Sequence, residues 1–240
     1  MGENSDSNRK LRILCLHGYR QNQHVFRDRT GALRKALKSV AEFEFVSAPL
    51  IPEIPATSNG NDEENDNQTN GSFTGEAEKL IPRAWWFSKP ENTFSSKDVT
   101  EIATGFEESV KVVDEFIKEN GPFDGLLGFS QGASMAHLLM CLHQRKEFQQ
   151  SFKFIILVSA FKSLSSVHNE LVKIPITGIP SFHVCGLSDE IVFSNRSEDL
   201  AHMFSNPNPI IVKHNGGHCI PPMSAVKKEL IEFLSQFKKI

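Results

Sequence analysis

The stretch Gly128-Phe129-Ser130-Gln131-Gly132 sets a serine between two glycines, after an apolar run that reads as a strand and before a stretch that reads as a helix. A G-x-S-x-G pattern in that setting has the form of a nucleophile elbow, a turn tight enough to lift a hydroxyl clear of a sheet. Side chains two positions either side of the serine would collide with neighbouring backbone, which is what the glycines avoid. The following helix turns its positive end towards charge developing nearby. The bland reading is a structural glycine-rich turn, since five common residues also fall into this order by chance.

A serine hydroxyl is a poor nucleophile near neutral pH and needs a base. The chain has nine histidines. His218 is the best placed, closing His214-Asn215-Gly216-Gly217-His218, a glycine-bearing loop after the last expected strand and before a helix. His214 is its near rival. His17 reads as a brace for the first turn, and His137, His143 and His183 as packed or exposed positions on a helix or strand. An acid is expected between serine and histidine, on a loop after a strand. Ser181 to Gly186 supplies the strand, and Asp189 in Leu187-Ser188-Asp189-Glu190 is the expected partner, with Glu190 its neighbour. Asp189 would hold the imidazole in the right tautomer and stabilise its cation. The charge on a cleaved carbonyl needs two fixed donors. The backbone N–H of Gln131 is one candidate and that of Tyr19, the chain's single tyrosine, is the other. Trp85 and Trp86 stand together between Pro82 and Pro90, where they either wall an apolar acyl pocket or pin a long connection to the body.

The elements that would position these residues follow from periodicity. Leu11 to Leu16 reads as a buried strand, and Val25, Phe26, Leu33, Leu37 and Val40 recur at roughly helical spacing. A second strand is expected at Phe43 to Val46. Asp98 to Glu119 reads as the clearest helix, its stripe of Val99, Ile102, Phe106, Val110, Val113 and Ile117 opened by a capping-box-like Asp98 and Glu101 and stopped at Gly121-Pro122. Strands are expected at Gly125 to Leu127, Phe154 to Val158, Ser181 to Cys185 and Ile210 to Lys213. Helices are expected from Gln131, near Ser194 to Phe204, and from Met223 to Phe237. Strand alternating with helix predicts βαβ units and a largely parallel sheet covered on both faces.

Length and composition bound the rest. The 240 residues, 39% apolar and 23% charged, suffice for one domain with a sizeable core. Residues 1–10 read as a disordered tail, and 11–240 as a single α/β domain. A polar insertion at about 57–75 has no means of burying itself. The net charge of −3 gives no basic surface for nucleic acid. No apolar run is long enough to span a bilayer, and the polar N-terminus lacks a secretory pattern. The expected compartment is the cytoplasm, with the nucleus as an additional one. Cys15, Cys141, Cys185 and Cys219 lie far apart with no C-x-x-C pair, and Cys15 and Cys185 read as buried thiols. A metal site of His214, His218 and Cys219 is disfavoured, because an adjacent His and Cys are poorly placed on one ion. No metal and no other cofactor is expected.

LCLHGYRQN, PRAWWF, DGLLGFSQGA, the G-x-x-D of Gly186 to Asp189 and HNGGH occur in this order. Together they resemble the FSH family of serine hydrolases, from Arg12 onward. The resemblance implies an α/β-hydrolase fold with catalytic Ser130, Asp189 and His218. It also implies action on carboxylic esters. The apolar residues near the site, and not the resemblance, point to a small-molecule ester with an apolar acyl group; no cofactor is expected. Acyl-protein or acyl-CoA thioester cleavage is the alternative within the same chemistry. A non-catalytic ligand receptor on a hydrolase scaffold is the alternative outside it.

Overall fold

A computed structural model of the chain describes residues 9–53 and 80–238. The insertion expected at 57–75 and nearly all of the N-terminal tail lie outside the described residues. The strands are β1 (Leu11–Leu16), β2 (Ala41–Val46), β3 (Gly125–Phe129), β4 (Phe154–Val158), β5 (Ile176–Thr177), β6 (Ser181–Gly186), β7 (Phe204–Ser205) and β8 (Ile210–His214). The helices are α1 (Gln23–Arg29), α2 (Gly31–Ala36), α3 (Phe106–Asn120), α4 (Gln131–Gln144), α5 (Ser194–Ala201) and α6 (Met223–Ser235). Six strands form one sheet in the order β2-β1-β3-β4-β6-β8, every neighbouring pair parallel. β5 and β7 pair separately.

Side chains alternate across a strand, and the apolar runs of this sheet bury both sets. Leu14, Leu16, Leu126, Ile155 and Leu157 face the layer of α3, α4 and α5. Ile13, Cys15, Leu127, Phe129, Ile156 and Phe182 face the layer of α1, α2 and α6. A strand covered on both faces needs no polar alternation, which is why these segments read as continuous apolar runs. Each fully buried Leu, Ile or Phe contributes about 1.5–3 kcal/mol. Cys15 and Cys185 are buried, as their strand positions suggested.

Two expectations are corrected. The helical spacing from Val25 to Val40 resolves into two short helices that meet at Thr30, whose hydroxyl donates back to the carbonyl of Phe26 at 2.9 Å. The helix expected from Asp98 begins instead at Phe106. Asp98 caps nothing; its carboxylate accepts the Ser88 hydroxyl at 2.6 Å. Thr100 pairs with Ser165 and Thr104 with Phe87 as bridges. Val99, counted in the apolar stripe, is 85% exposed. Gly105 enters the helix at φ 82, and a Cβ there would lie 2.3 Å from a Leu50 methyl. Long-range pairing of residues 98–105 overrides their local periodicity. The stop at Gly121 is where the pattern put it.

Five histidines are buried in this body: His17, His137, His168, His183 and His214. Burial lowers His17 and His168 to about 4 and His137 and His183 to about 3. Because the folded values lie below the unfolded value near 6.5, neutral imidazoles favour the fold fully above that pH. Stability is lost as pH falls from about 6.5 towards 4. At pH 5 each of His17, His137, His168 and His183 takes away on the order of 2 kcal/mol. The expected outcome is a Tm that falls steeply between pH 6.5 and 4.5 in calorimetry, with a shallower slope for His137→Leu whatever its absolute Tm. A flat Tm over that interval would contradict neutral burial.

Candidate active site

The turn between β3 and α4 carries Ser130 at φ 53 and ψ −119, a backbone conformation that a side-chain-bearing residue seldom adopts. Its neighbours hold it there. The Ser130 N–H donates to the Val158 carbonyl of β4 at 2.9 Å. A Cβ on Gly128 would lie 2.4 Å from the Ala133 Cα, and one on Gly132 would lie 2.3 Å from the Leu16 carbonyl oxygen. Both glycines are thus required by close backbone approach, as the sequence pattern implied.

The strands β6 and β8 run side by side with Gly186 opposite His214, so the loops leaving their ends are neighbours. Leu187 N–H donates to the His214 carbonyl at 2.8 Å and Ser188 N–H to the Gly216 carbonyl at 3.1 Å. Asp189 thereby faces His218. One carboxylate oxygen, Oδ1, accepts the N–H groups of Ile191 and Val192 at 3.0 and 2.8 Å. The other, Oδ2, lies 2.8 Å from His218 Nδ1. Oδ2 can only accept, so Nδ1 carries the hydrogen and Nε2 is free to accept the Ser130 hydroxyl, 2.9 Å away. The imidazole packs on the Phe129 ring with centroids 5.0 Å apart. His214, the rival, accepts the Gly216 N–H at 3.1 Å and shapes the loop. Burial pushes its pKa down.

At the end of β1, Ala48 N–H donates to His17 Nε2 at 2.9 Å, so His17 Nδ1 donates to the Gly18 carbonyl at 2.8 Å. His17 is a buried brace, as its position suggested. It fixes the turn bearing Tyr19, which lines the same cavity as Ser130 and His218. A Cβ on Gly18 would lie 3.4 Å from the Ser130 Cβ. Gln131 opens α4, where the first N–H groups have no intrahelical acceptor. The cavity is about 530 Å³, with Phe94, Phe129 and Ile191 among its apolar lining residues.

Trp85 and Trp86 do not line it. They are 0% and 1% exposed, which corrects the pocket reading in favour of the pinning one. Trp85 donates its indole N–H to the His17 carbonyl at 2.8 Å. Trp86 sits edge-on to Phe94, Phe106 and His168. The latch on this pair is the Gln131 side chain, whose oxygen accepts Trp85 N–H at 3.0 Å and whose amide donates to the Trp86 carbonyl at 2.7 Å. Sequence reasoning weighed only the Gln131 backbone, and no local signal announced the side chain's part.

A parallel sheet with a strained serine turn between a central strand and a buried helix defines the α/β-hydrolase fold. Residues 6–230 match the serine hydrolase (FSH1) family, and the chain belongs to that family. An esterase of Caenorhabditis elegans, C25G4.2, is 47% identical over 229 residues, 95% of this chain and 94% of that protein. The esterase OVCA2 of Xenopus tropicalis is 40% identical over 232 residues, 95% of this chain and 94% of that one. Among solved structures, Arabidopsis thaliana SOBER1 shares the fold with a TM-score of 0.56. It is 16% identical, and the match covers 96% of this chain and 100% of that one.

Gln131→Ala should leave a buried N–H and a buried carbonyl of the tryptophan pair without partners. Thermal unfolding is expected to show a loss of about 2–4 kcal/mol, whereas an unchanged Tm would remove the latch.

Proposed function

We propose that the chain hydrolyses small-molecule carboxylic esters through an acyl-enzyme on Ser130. The observation that carries this reading is the unbroken relay from Ser130 through His218 to Asp189, aimed from a strained turn into the cavity. Ser130 Oγ attacks the ester carbonyl while its proton passes to His218 Nε2. The imidazolium that results keeps its Nδ1–H on Asp189, whose other oxygen is already engaged by two backbone donors, so the carboxylate is held in place rather than free to rotate. The tetrahedral oxygen takes the backbone N–H groups of Tyr19 and Gln131. His218 then returns its proton to the leaving alcohol. Water enters, loses a proton to Nε2 and releases the acid from the serine. Phe94, Phe129 and Ile191 support an apolar acyl group.

Labelling with a fluorophosphonate probe tests the nucleophile. Rapid labelling is expected for the wild-type chain and none for Ser130→Ala. On p-nitrophenyl octanoate, Ser130→Ala and His218→Ala should each lower kcat by about 10⁴- to 10⁶-fold, and Asp189→Asn by about 10⁴-fold. A folded wild-type chain that neither labels nor turns over esters would make the cavity a binding site instead. Faster turnover of a matched octanoyl thioester would move the substrate class to thioesters with the same residues in the same roles.

A further inference from the structure

Nine arginines stand in the described residues, and seven of them have visible engagements. Arg9, Arg12 and Arg145 pair with carboxylates. Arg34 and Arg83 donate to backbone carbonyls, Arg196 donates to the Ser96 carbonyl, and Arg27 lies over the Phe45 ring. The two whose side chains meet no acceptor, carboxylate or ring among the described residues are Arg20 and Arg29. Both line the cavity that holds Ser130 and His218.

Arg20 and Arg29 are both exposed, and both stand at the rim of that one cavity. A third cation, Lys97, lines the same cavity, and Glu190 is the one acid among its described lining residues. Lys97 is itself held, donating to the Glu190 carbonyl at 3.2 Å. Among the described residues that line the cavity, three cations stand against one carboxylate. The backbone adds an independent sign. Arg20 sits at φ 61, a left-handed conformation that disfavours a side-chain-bearing residue. Its N–H is tied to the Arg83 carbonyl at 2.9 Å, so the turn keeps the arginine there despite the strain. Glycine or asparagine would hold that turn more easily. A strained residue beside a reactive serine is where function accounts for local cost.

We infer that the substrate carries an anionic group, a carboxylate or phosphate remote from the scissile carbonyl, and that Arg20 and Arg29 select for it. This rests on the ester-hydrolase reading of Ser130. Guanidinium groups offer paired donors that match either anion. Cations gathered at a cleft raise the local concentration of an anionic substrate before it docks. The ester is then amphiphilic, with an apolar portion against Phe94, Phe129 and Ile191 and a charge towards the arginines.

Two matched pairs of esters test this and separate the side of the ester that bears the charge. Mono-p-nitrophenyl suberate against p-nitrophenyl octanoate places the anion on the acyl side. 4-Carboxyphenyl octanoate against 4-carbamoylphenyl octanoate places it on the leaving group. The readout is the ratio of kcat/KM within each pair, which cancels losses common to both members. In at least one pair the wild-type chain should prefer the anionic ester by about 5-fold or more, less so in 0.5 M NaCl. Arg20→Gln/Arg29→Gln should bring the ratio close to 1, and Arg20→Glu/Arg29→Glu should reverse it. Fluorophosphonate labelling of each variant reports an intact serine turn, and the single glutamine variants serve if a double variant fails to label. Ratios in both pairs that are the same in wild type and variants would overturn the inference alone. No turnover of any of the four esters by the folded wild-type chain would overturn the reading beneath it.

Discussion

Ser130 keeps its strained backbone because the chain on either side has nowhere else to go. Gly132 lies so close to the ends of β1 that the backbone oxygens of Leu16 and His17 occupy the space a Cβ would need. The Ser130 N–H is fastened to β4 and α4 leaves at once into a wholly buried course. A close approach of this kind ties three central elements to one another: β1, the strand-turn-helix at Ser130, and β4. Relaxing the serine towards an ordinary conformation would mean moving the start of α4, whose first eleven residues are all buried. Strain of this kind persists only where the surroundings over-determine it. Here they consist of close-packed interior, which does not deform by small amounts.

The same sheet explains why a carboxylate and an imidazole far apart in sequence meet at the serine. β3, β4, β6 and β8 are parallel neighbours, so their C-terminal ends open onto one edge. Ser130 follows β3, Asp189 follows β6 and His218 follows β8. In an open α/β sheet ligands gather outside those ends, because loops of one polarity converge there. The register Gly186 to His214 then does finer work. It sets the two loops so close that Gly186 has no room for a side chain against the Gly216 carbonyl. Backbone hydrogen bonds between the loops leave the acid and the imidazole little freedom to part.

Much of this was legible in the chain itself. The inner strands β1, β3, β4 and β6 were visible as short apolar runs, because burial on both faces removes the need for alternation. The edge strand β2 was visible instead through the alternation of Phe43 and Phe45 with Glu44. Gly128, Ser130, Gly132 and the ordered Asp189 and His218 were legible because turn geometry restricts which residues fit. What escaped depended on distant contacts. Asp98 and Glu101 spell a helix start, yet bridges from Thr100 and Thr104 to residues far along the chain hold that segment extended. Trp85 and Trp86 looked equally suited to a pocket or a clamp, and only the Gln131 side chain and the His17 carbonyl decide between them. Arg20 and Arg29 carry no spacing signal at all. They come together only in the cavity that both line, where neither meets an acceptor among the described residues.

What separates His218 from the other histidines is its partner and not the ring. His17, His137, His168 and His183 are shut away where the cation is penalised, and each is driven well below the ordinary imidazole range. Burial disfavours the cation at each of them. Among the described residues His218 is the histidine that meets a carboxylate within ion-pair distance. The buried Asp189 is in turn compensated by two backbone N–H groups from its own loop. A buried carboxylate without those donors would be costly and would tend to protonate. The short turn from Asp189 to Val192 therefore supports the carboxylate that the His218 ring meets, and the ring's orientation depends on that turn as much as on its own position on the loop after β8.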